Sequence, residues 1–365
     1  MRRVFQNFKT SRCKHVCARS LCLFIALLNL TLFSDSLLAS EDSQVNCSIP
    51  NQFKRSRPHP KGIPTEIRIG SLFFDIKEIN DRKQTFTIDV FYTTRWNDPR
   101  LSEKSLGRSL EYCDITLDDI WYPDLIDVNM IRGDKRSPDV VHIDSEGNVT
   151  YRERWRNAEF YSDLDFRNFP FDDQILHLVL IEYEDSSNSI SLLVDKEYTQ
   201  IRKGSSIEGW DIQILEPEIT SEYIIASNRY VNRIDFRLSA KRQLDHYLWK
   251  MIIPVGFIVL MAWSVFWINP SQIGPQIGLS TGTVFTLFAY RVSLGFMVPP
   301  VAYFTRMDKY IFLSTLLVFF ALGSSVMTAK LAFENKNALA QRIDRSFRII
   351  YIILFIGIIG YSFFL

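Results

Sequence analysis

Histidine is scarce in this chain, with five in 365 residues and none after His246. No cysteine or histidine cluster has the spacing of a metal site, so no metal is expected. A glycine-rich phosphate loop and a strand–helix–strand rhythm are both missing, which removes the nucleotide-dependent α/β enzymes and any cofactor they would need. The formal net charge is only +1. That balance lacks the basic surplus of a nucleic-acid binder, and no nucleic-acid partner is expected. Cysteine is also sparse: three of the five (Cys13, Cys17, Cys22) fall within the first 22 residues. Cys47 and Cys113 remain. A disulfide between them is left open, because sequence alone cannot bring the two within bonding distance.

The N-terminus runs from basic residues (Arg2, Arg3, Lys9, Arg12, Lys14, Arg19) through an apolar stretch, Leu21–Phe33, to the small-residue segment Ser36–Ser40. That order is a secretory signal peptide, here residues 1–40, followed by an N-terminal segment over 41–63. Export implies an oxidising compartment.

From 64 to 246 the chain alternates apolar and polar residues in short runs, such as "EIRIGSLFFDIKEI", "QTFTIDVFYTTRW", "QILHLVLIEY", "SISLLV" and "RIDFRLSA". Period-two patterning broken by polar turns predicts an all-β domain, an immunoglobulin-like sandwich of about ten strands. After Tyr247 the pattern changes to four apolar spans, with helices expected at about 247–268, 273–298, 308–331 and 346–365. Each nears the roughly 20 residues needed to cross hydrocarbon, and the last is short enough to require tilt or local thinning. The expected linker 332–345 and its flanks carry Lys330, Lys336, Arg342, Arg345 and Arg348, which makes that side cytoplasmic. Four crossings then leave both the β-domain and the C-terminus outside, in a multi-pass plasma-membrane protein whose partners include membrane lipid.

The second span is unusual. It holds Gln276, Ser280, Thr281, Thr283, Thr286 and Arg291, and polar groups in a membrane helix face protein or water. Small-residue helix packing would account for part of this pattern, and a polar lumen for the rest. Gly278-Leu279-Ser280-Thr281-Gly282 also matches the G-x-S-x-G elbow of serine hydrolases. That motif needs a strand–turn–helix setting and a histidine base, and neither is available here, so no enzyme is expected.

Three motifs and the domain order carry a family resemblance: "WNDPRL" (Trp96–Leu101), "WYPD" (Trp121–Asp124) followed by Asn129, and "LDFRNFPFDDQ" (Leu164–Gln174). The chain resembles the pentameric ligand-gated ion channels, the Cys-loop receptor family, over nearly all of its mature length. Ser162 and Leu176 stand where that family's signature loop has two cysteines, so the loop disulfide is missing, as in bacterial members. The resemblance implies a homopentamer around a central pore that is lined by the second helix and passes monovalent ions. It further implies a coupling surface, with Phe169, Pro170 and Phe171 resting on the membrane domain near the linker containing Pro299 and Pro300, and with Asp172 paired to Arg242.

An agonist site between subunits would use Phe91, Val128, Tyr183, Glu182, Tyr223 and Tyr230, with Val128 where many receptors carry an aromatic. Tyr223 and Tyr230 flank a hairpin with its tip near Ile225–Asn228. Acids around Tyr183 (Glu182, Glu184, Asp185) favour an amine, and protons acting through His177 or His246 are the other agonist expected. The implied lumen stripe is Gly278, Gly282, Phe285, Ala289, Val292 and Phe296, with Phe285 at a hydrophobic gate. A second frame, shifted by two, turns Gln276, Ser280, Thr283, Leu287 and Tyr290 inward. Pro275 and Gln276 stand at the selectivity mouth, which carries neither acid nor base, so the sign of the permeant ion stays open. A membrane-anchored sensory protein that does not conduct is the alternative, since it would need no polar lumen helix.

Overall fold

The computed structural model divides the chain into two units, 1–46 and 47–365. It describes residues 47–60, 62–183, 189–202, 207–225, 228–295 and 297–364. The expected signal peptide, Glu184, Asp185 and Phe296 lie outside the described residues.

Thirteen strands are present among the described residues. The long ones are β1 (Thr65–Asn80), β2 (Thr85–Asn97), β7 (Asn148–Tyr161), β8 (Asp173–Glu182) and β13 (Arg229–Arg242). The shorter ones are β3 (Ile115–Thr116), β4 (Leu125–Asp127), β5 (Met130–Lys135), β6 (Val140–Ile143), β9 (Ile190–Val194), β10 (Gln200–Ile201), β11 (Trp210–Ile214) and β12 (Glu218–Ile224). Three of these, β3, β4 and β10, have only two or three residues, too few to show an alternating pattern. They account for the excess over the ten expected.

The strands form two sheets. In the eight-stranded sheet the order is β10-β1-β2-β7-β6-β3, with β5 added to β7 and β9 to β1. In the five-stranded sheet it is β11-β13-β8-β4, with β12 added to β13. Alternation sets which face is buried: Ile67 and Ile69 of β1 are buried while Glu66 and Arg68 point out. Ile88 and Val90 from one sheet, and Leu176, Leu178, Leu180, Ile234 and Phe236 from the other, are buried in the shared core. Burying such a side chain contributes about 1.5–3 kcal/mol. Tyr92 and Phe236, on different sheets, bring their rings to 6.4 Å. Cys47 and Cys113 are disulfide-bonded across Cα atoms 5.6 Å apart, which settles the pairing left open by the sequence.

Four helices follow: α1 (Asp245–Trp267), α2 (Ile273–Leu294), α3 (Arg306–Phe333) and α4 (Asn337–Phe364). Among the described residues α1, α3 and α4 are long and apolar enough to cross a membrane. The more polar α2 has 22 residues and so is about 33 Å long.

Local chemistry explains several details. Pro254, the tenth residue of α1, has no N–H and cannot bond the Lys250 carbonyl, and the turn Leu248–Ile252 widens to a π-helix. The hydroxyl of Tyr290 on α2 donates to that freed Lys250 carbonyl. A capping box between Thr305 and Asp308 starts α3. The expected linker 332–345 shrinks to Glu334–Lys336, because α3 runs to Phe333 and α4 begins at Asn337. Ala338–Arg342 are mostly good helix formers, and α4 buries Ala340 and Asp344 there.

Candidate functional site

The β-domain meets the helices through a buried charge cluster. Arg242 at the end of β13 donates from Nε to Asp172 Oδ1 (2.8 Å) and from Nη2 to Asp172 Oδ2 (3.1 Å). The same guanidinium reaches Asp81, in the β1–β2 turn, at 2.8 and 3.0 Å, and the Tyr247 hydroxyl on α1 at 2.9 Å. Its flat face lies 4.0 Å from the Trp210 ring centre and 5.0 Å from that of Phe169. Burial works against the charged form of Arg242, but the two carboxylates outweigh it and raise its pKa above the ordinary arginine value. Burial also raises Asp81 above the usual carboxylate value, despite its bonds to Arg242.

The tip itself is tied to the start of α3. Arg167 and Phe169 carbonyls accept from the Arg306 and Met307 N–H groups (3.1 and 3.2 Å), and the Phe166 N–H donates to the Tyr303 hydroxyl. Phe171 packs 5.4 Å from Phe363 near the end of α4. Pro170 is buried in the loop and Pro299 in the linker, whereas Pro300 is exposed. The 297–299 stretch of that linker instead lines a cleft with Glu78–Arg82, the end of β1 and the turn after it, and Arg82 donates to the Gly295 carbonyl (3.1 Å). Asp81, Trp210, Tyr247 and Arg82 were not anticipated. Strand register and chain reversal bring the first three to the cluster and Arg82 to the Gly295 carbonyl, and neither leaves a local pattern.

On α2 the two helical frames separate cleanly. Gln276, Ser280, Thr283 and Leu287 are all buried against the chain's own helices. Ser280 donates to the Gln276 carbonyl and the Ser325 hydroxyl of α3, both at 2.8 Å. Gln276 donates to Thr328 (3.2 Å) and Asp344 (3.4 Å). A selectivity-mouth role for Gln276 is therefore corrected: with 0% of its surface exposed, it joins α2 to α3 and α4. Ser280, mid-helix and buried, has no nucleophile geometry. Pro275, Gly278, Gly282, Phe285, Ala289 and Val292 all face away from the bundle, Phe285 with 70% of its surface exposed.

The expected ligand residues lie on two different sheets. Tyr223 of β12 and Tyr230 of β13 stand opposite each other in register, with rings 5.1 Å apart, and Tyr183 and Val128 are exposed near the same sheet. Glu182 is fully buried in β8 opposite Leu125, so it presents no charge to a ligand, contrary to expectation. Phe91 belongs to the other sheet, opposite Arg154, whose guanidinium sits 4.9 Å over its ring. Arg229 covers Tyr183 in the same way at 5.5 Å. Two of the rings expected to bind an amine thus already face the chain's own cations. Neither His177 nor His246 is buried, and His177 instead contacts Asp235 at 2.8 Å.

One further titratable group was missed. Asp127, one residue before Val128, accepts a hydrogen bond from the buried Tyr92 hydroxyl (3.0 Å). Burial, reinforced by the charge of Glu153 and opposed by Tyr92, pushes its pKa up to about 7.

A β-sandwich that clamps a helical membrane bundle through an Arg–Asp cluster, with the second helix keeping a stripe from Gly278 to Val292 free of its own bundle, defines a membrane receptor-channel subunit. The chain belongs to the neurotransmitter-gated ion-channel family: residues 49–244 match its ligand-binding domain and residues 251–338 its transmembrane region. It is similar to a protein of Gloeobacter violaceus described as a proton-gated ion channel, with 28% identity over 295 residues, 80% of this chain and 81% of that one. The protein is a ligand-gated ion channel, a multi-pass plasma-membrane protein with its β-domain outside.

Proposed function

We propose that the chain assembles as a homopentamer around a central pore lined by the outward stripe of α2, and that it is a member lacking the loop disulfide between positions 162 and 176. The observation that carries this is the split of α2. Gln276 and Ser280 turn inward and donate to Thr328, Asp344 and Ser325 of the same subunit, while Gly278, Gly282, Phe285, Ala289 and Val292 are left for an axis shared with other copies. A ring of Phe285 side chains closes such a pore by dewetting. Agonist binding at the subunit interface, between the Tyr183–Tyr223–Tyr230 face and the Phe91 face, favours the open state. Movement passes through Phe169–Asp172 and Arg242 into α1 and α3. The agonist opens the gate only to the extent that it binds the open state more tightly.

Expressing Phe285→Ala in oocytes tests this. The variant gives a standing current without agonist, and the reversal potential in asymmetric NaCl assigns the permeant ion. Surface-expressed Phe285→Ala that stays silent removes Phe285 as the gate. A second reading, protons as the agonist, is favoured by Asp127, whose carboxyl titrates near neutral pH. Steps from pH 8 to pH 5 on the wild type check it.

A further inference from the structure

Phe74 and Phe91 form a two-ring platform on the outer face of the eight-stranded sheet, with centroids 5.7 Å apart. Register places both. β1 pairs Leu72 with Phe91, and a bulge between Phe73 and Asp75 brings Phe74 alongside. β7 sets Arg154 opposite Phe91. The Arg154 guanidinium lies 5.3 Å from the Phe74 centroid and 4.9 Å from that of Phe91. Arg202, whose N–H is bound to the Phe73 carbonyl at 2.9 Å, brings a second guanidinium to 4.2 Å from Phe74. Arg152, two residues from Arg154 and so on the same face of the strand, adds a third, exposed cation.

Among the described residues this group has no counter-charge. Among the described residues neither Arg154 nor Arg202 makes an ion pair, although the neighbouring cations do: Lys77 and Arg156 with Asp89, and Arg95 with Asp195. The Arg154 Nε is buried and has no hydrogen-bond partner. Ring faces attract cations, and two guanidiniums on one platform repel each other, so the missing element is an anion. A planar guanidinium fork matches a carboxylate in two parallel bonds, which an ammonium ligand cannot use.

We propose that Arg154 and Arg202, mounted on Phe74 and Phe91, bind the carboxylate of the agonist, so that the channel responds to a small organic acid and not to an amine. This rests on the reading of the chain as an agonist-gated channel with Phe91 at the subunit interface. The tyrosines of the opposite face, Tyr183, Tyr223 and Tyr230, would hold the rest of the molecule.

The test uses the full-length channel, purified in detergent for calorimetry and expressed in oocytes for current, at constant pH 7.4. The probes are acetate and succinate, with n-butylamine and sulfate as comparisons. The expected result is that a carboxylate binds and changes the current, that n-butylamine and sulfate do neither, and that Arg154→Gln and Arg202→Gln each weaken carboxylate binding at least tenfold. Arg154→Lys, which keeps the charge but loses the fork, falls between wild type and Arg154→Gln. Equal binding of sulfate, tighter binding of n-butylamine, or unchanged carboxylate affinity in well-folded Arg154→Gln overturns the proposal. Failure of the underlying agonist-gated reading shows separately, as carboxylate binding that depends on Arg154 and Arg202 but leaves the current unchanged.

Discussion

Arg242 and Asp172 bury their charges together, with side chains 2% and 1% exposed and two hydrogen bonds between them. Asp81 is the third member and is more open, at 20%. Removing the arginine leaves two carboxylates facing each other with no cation. Removing either acid leaves the arginine one partner. Arg242→Gln should therefore cost most, about 3–5 kcal/mol, then Asp172→Asn, then Asp81→Asn. Thermal melts of the detergent-purified variants give the order directly. Asp81→Asn as the worst of the three would mean that the solvent-facing pair carries the cluster.

Tyr290 and Pro254 make a second testable pair. The proline frees the Lys250 carbonyl and the tyrosine hydroxyl takes it up, across two helices. Tyr290→Phe keeps the ring and removes only that donor. The expected loss is about 1–2 kcal/mol, seen as a lower melting temperature with no standing current. A standing current in Tyr290→Phe would instead place this contact in the closed gate.

Much of this architecture was legible in the sequence, for identifiable reasons. Period-two runs mark the long strands because each buries one face, and "LDFRNFPFDDQ" marks the loop whose Asp172 needs a cation. The lumen-stripe frame and its rival differ by two residues and look equally helical. Only contacts with Ser325, Thr328 and Asp344, far along the chain, show that Gln276 and Ser280 face inward. Glu182 looked like a ligand acid because it neighbours Tyr183, yet adjacent residues on a strand point to opposite sides. The arginine face had a local signal that went unread: "YRERWR" puts Arg152 and Arg154 on one side of β7. What it lacked was the knowledge that β2 would set Phe91 opposite.

Asp127 predicts a pH dependence of stability. Its pKa rises from 3.8 in the unfolded chain to about 7 in the fold, so folding disfavours the ionised carboxylate. Below about pH 4 both states are protonated and the group makes no difference. The penalty grows between about pH 4 and pH 7 and is constant above that, at no more than about 4 kcal/mol. The wild-type melting temperature should therefore rise as pH falls from 8 to 5. Asp127→Asn, which cannot ionise, should flatten that rise and raise the melting temperature at pH 8. An unchanged slope in the variant would move the titration to another group, with Glu153, also raised by burial, the next to test.

The face of α2 can be read one residue at a time by cysteine modification. The last cysteine in the chain is Cys113, and it is bonded to Cys47, so the whole membrane region is a cysteine-free background. Single cysteines at Gly282, Phe285, Ala289 and Val292 point away from the subunit's own helices, whereas cysteines at Ser280, Thr283 and Leu287 would be buried against them. A charged, water-soluble thiol reagent reaches a thiolate only where water does. Modification should therefore block current at the first four positions and leave the last three unaffected, giving a repeat of four and three along the helix. Leu287→Ala adds a stability check, since emptying a packed position costs about 2–5 kcal/mol while truncating a lumen side chain costs little. Reactivity at Thr283 and Leu287 together with silence at Phe285 and Val292 would mean that α2 rotates by about half a turn in the conducting assembly. The stripe left open in one subunit would then be an interface between subunits and not the wall of the pore.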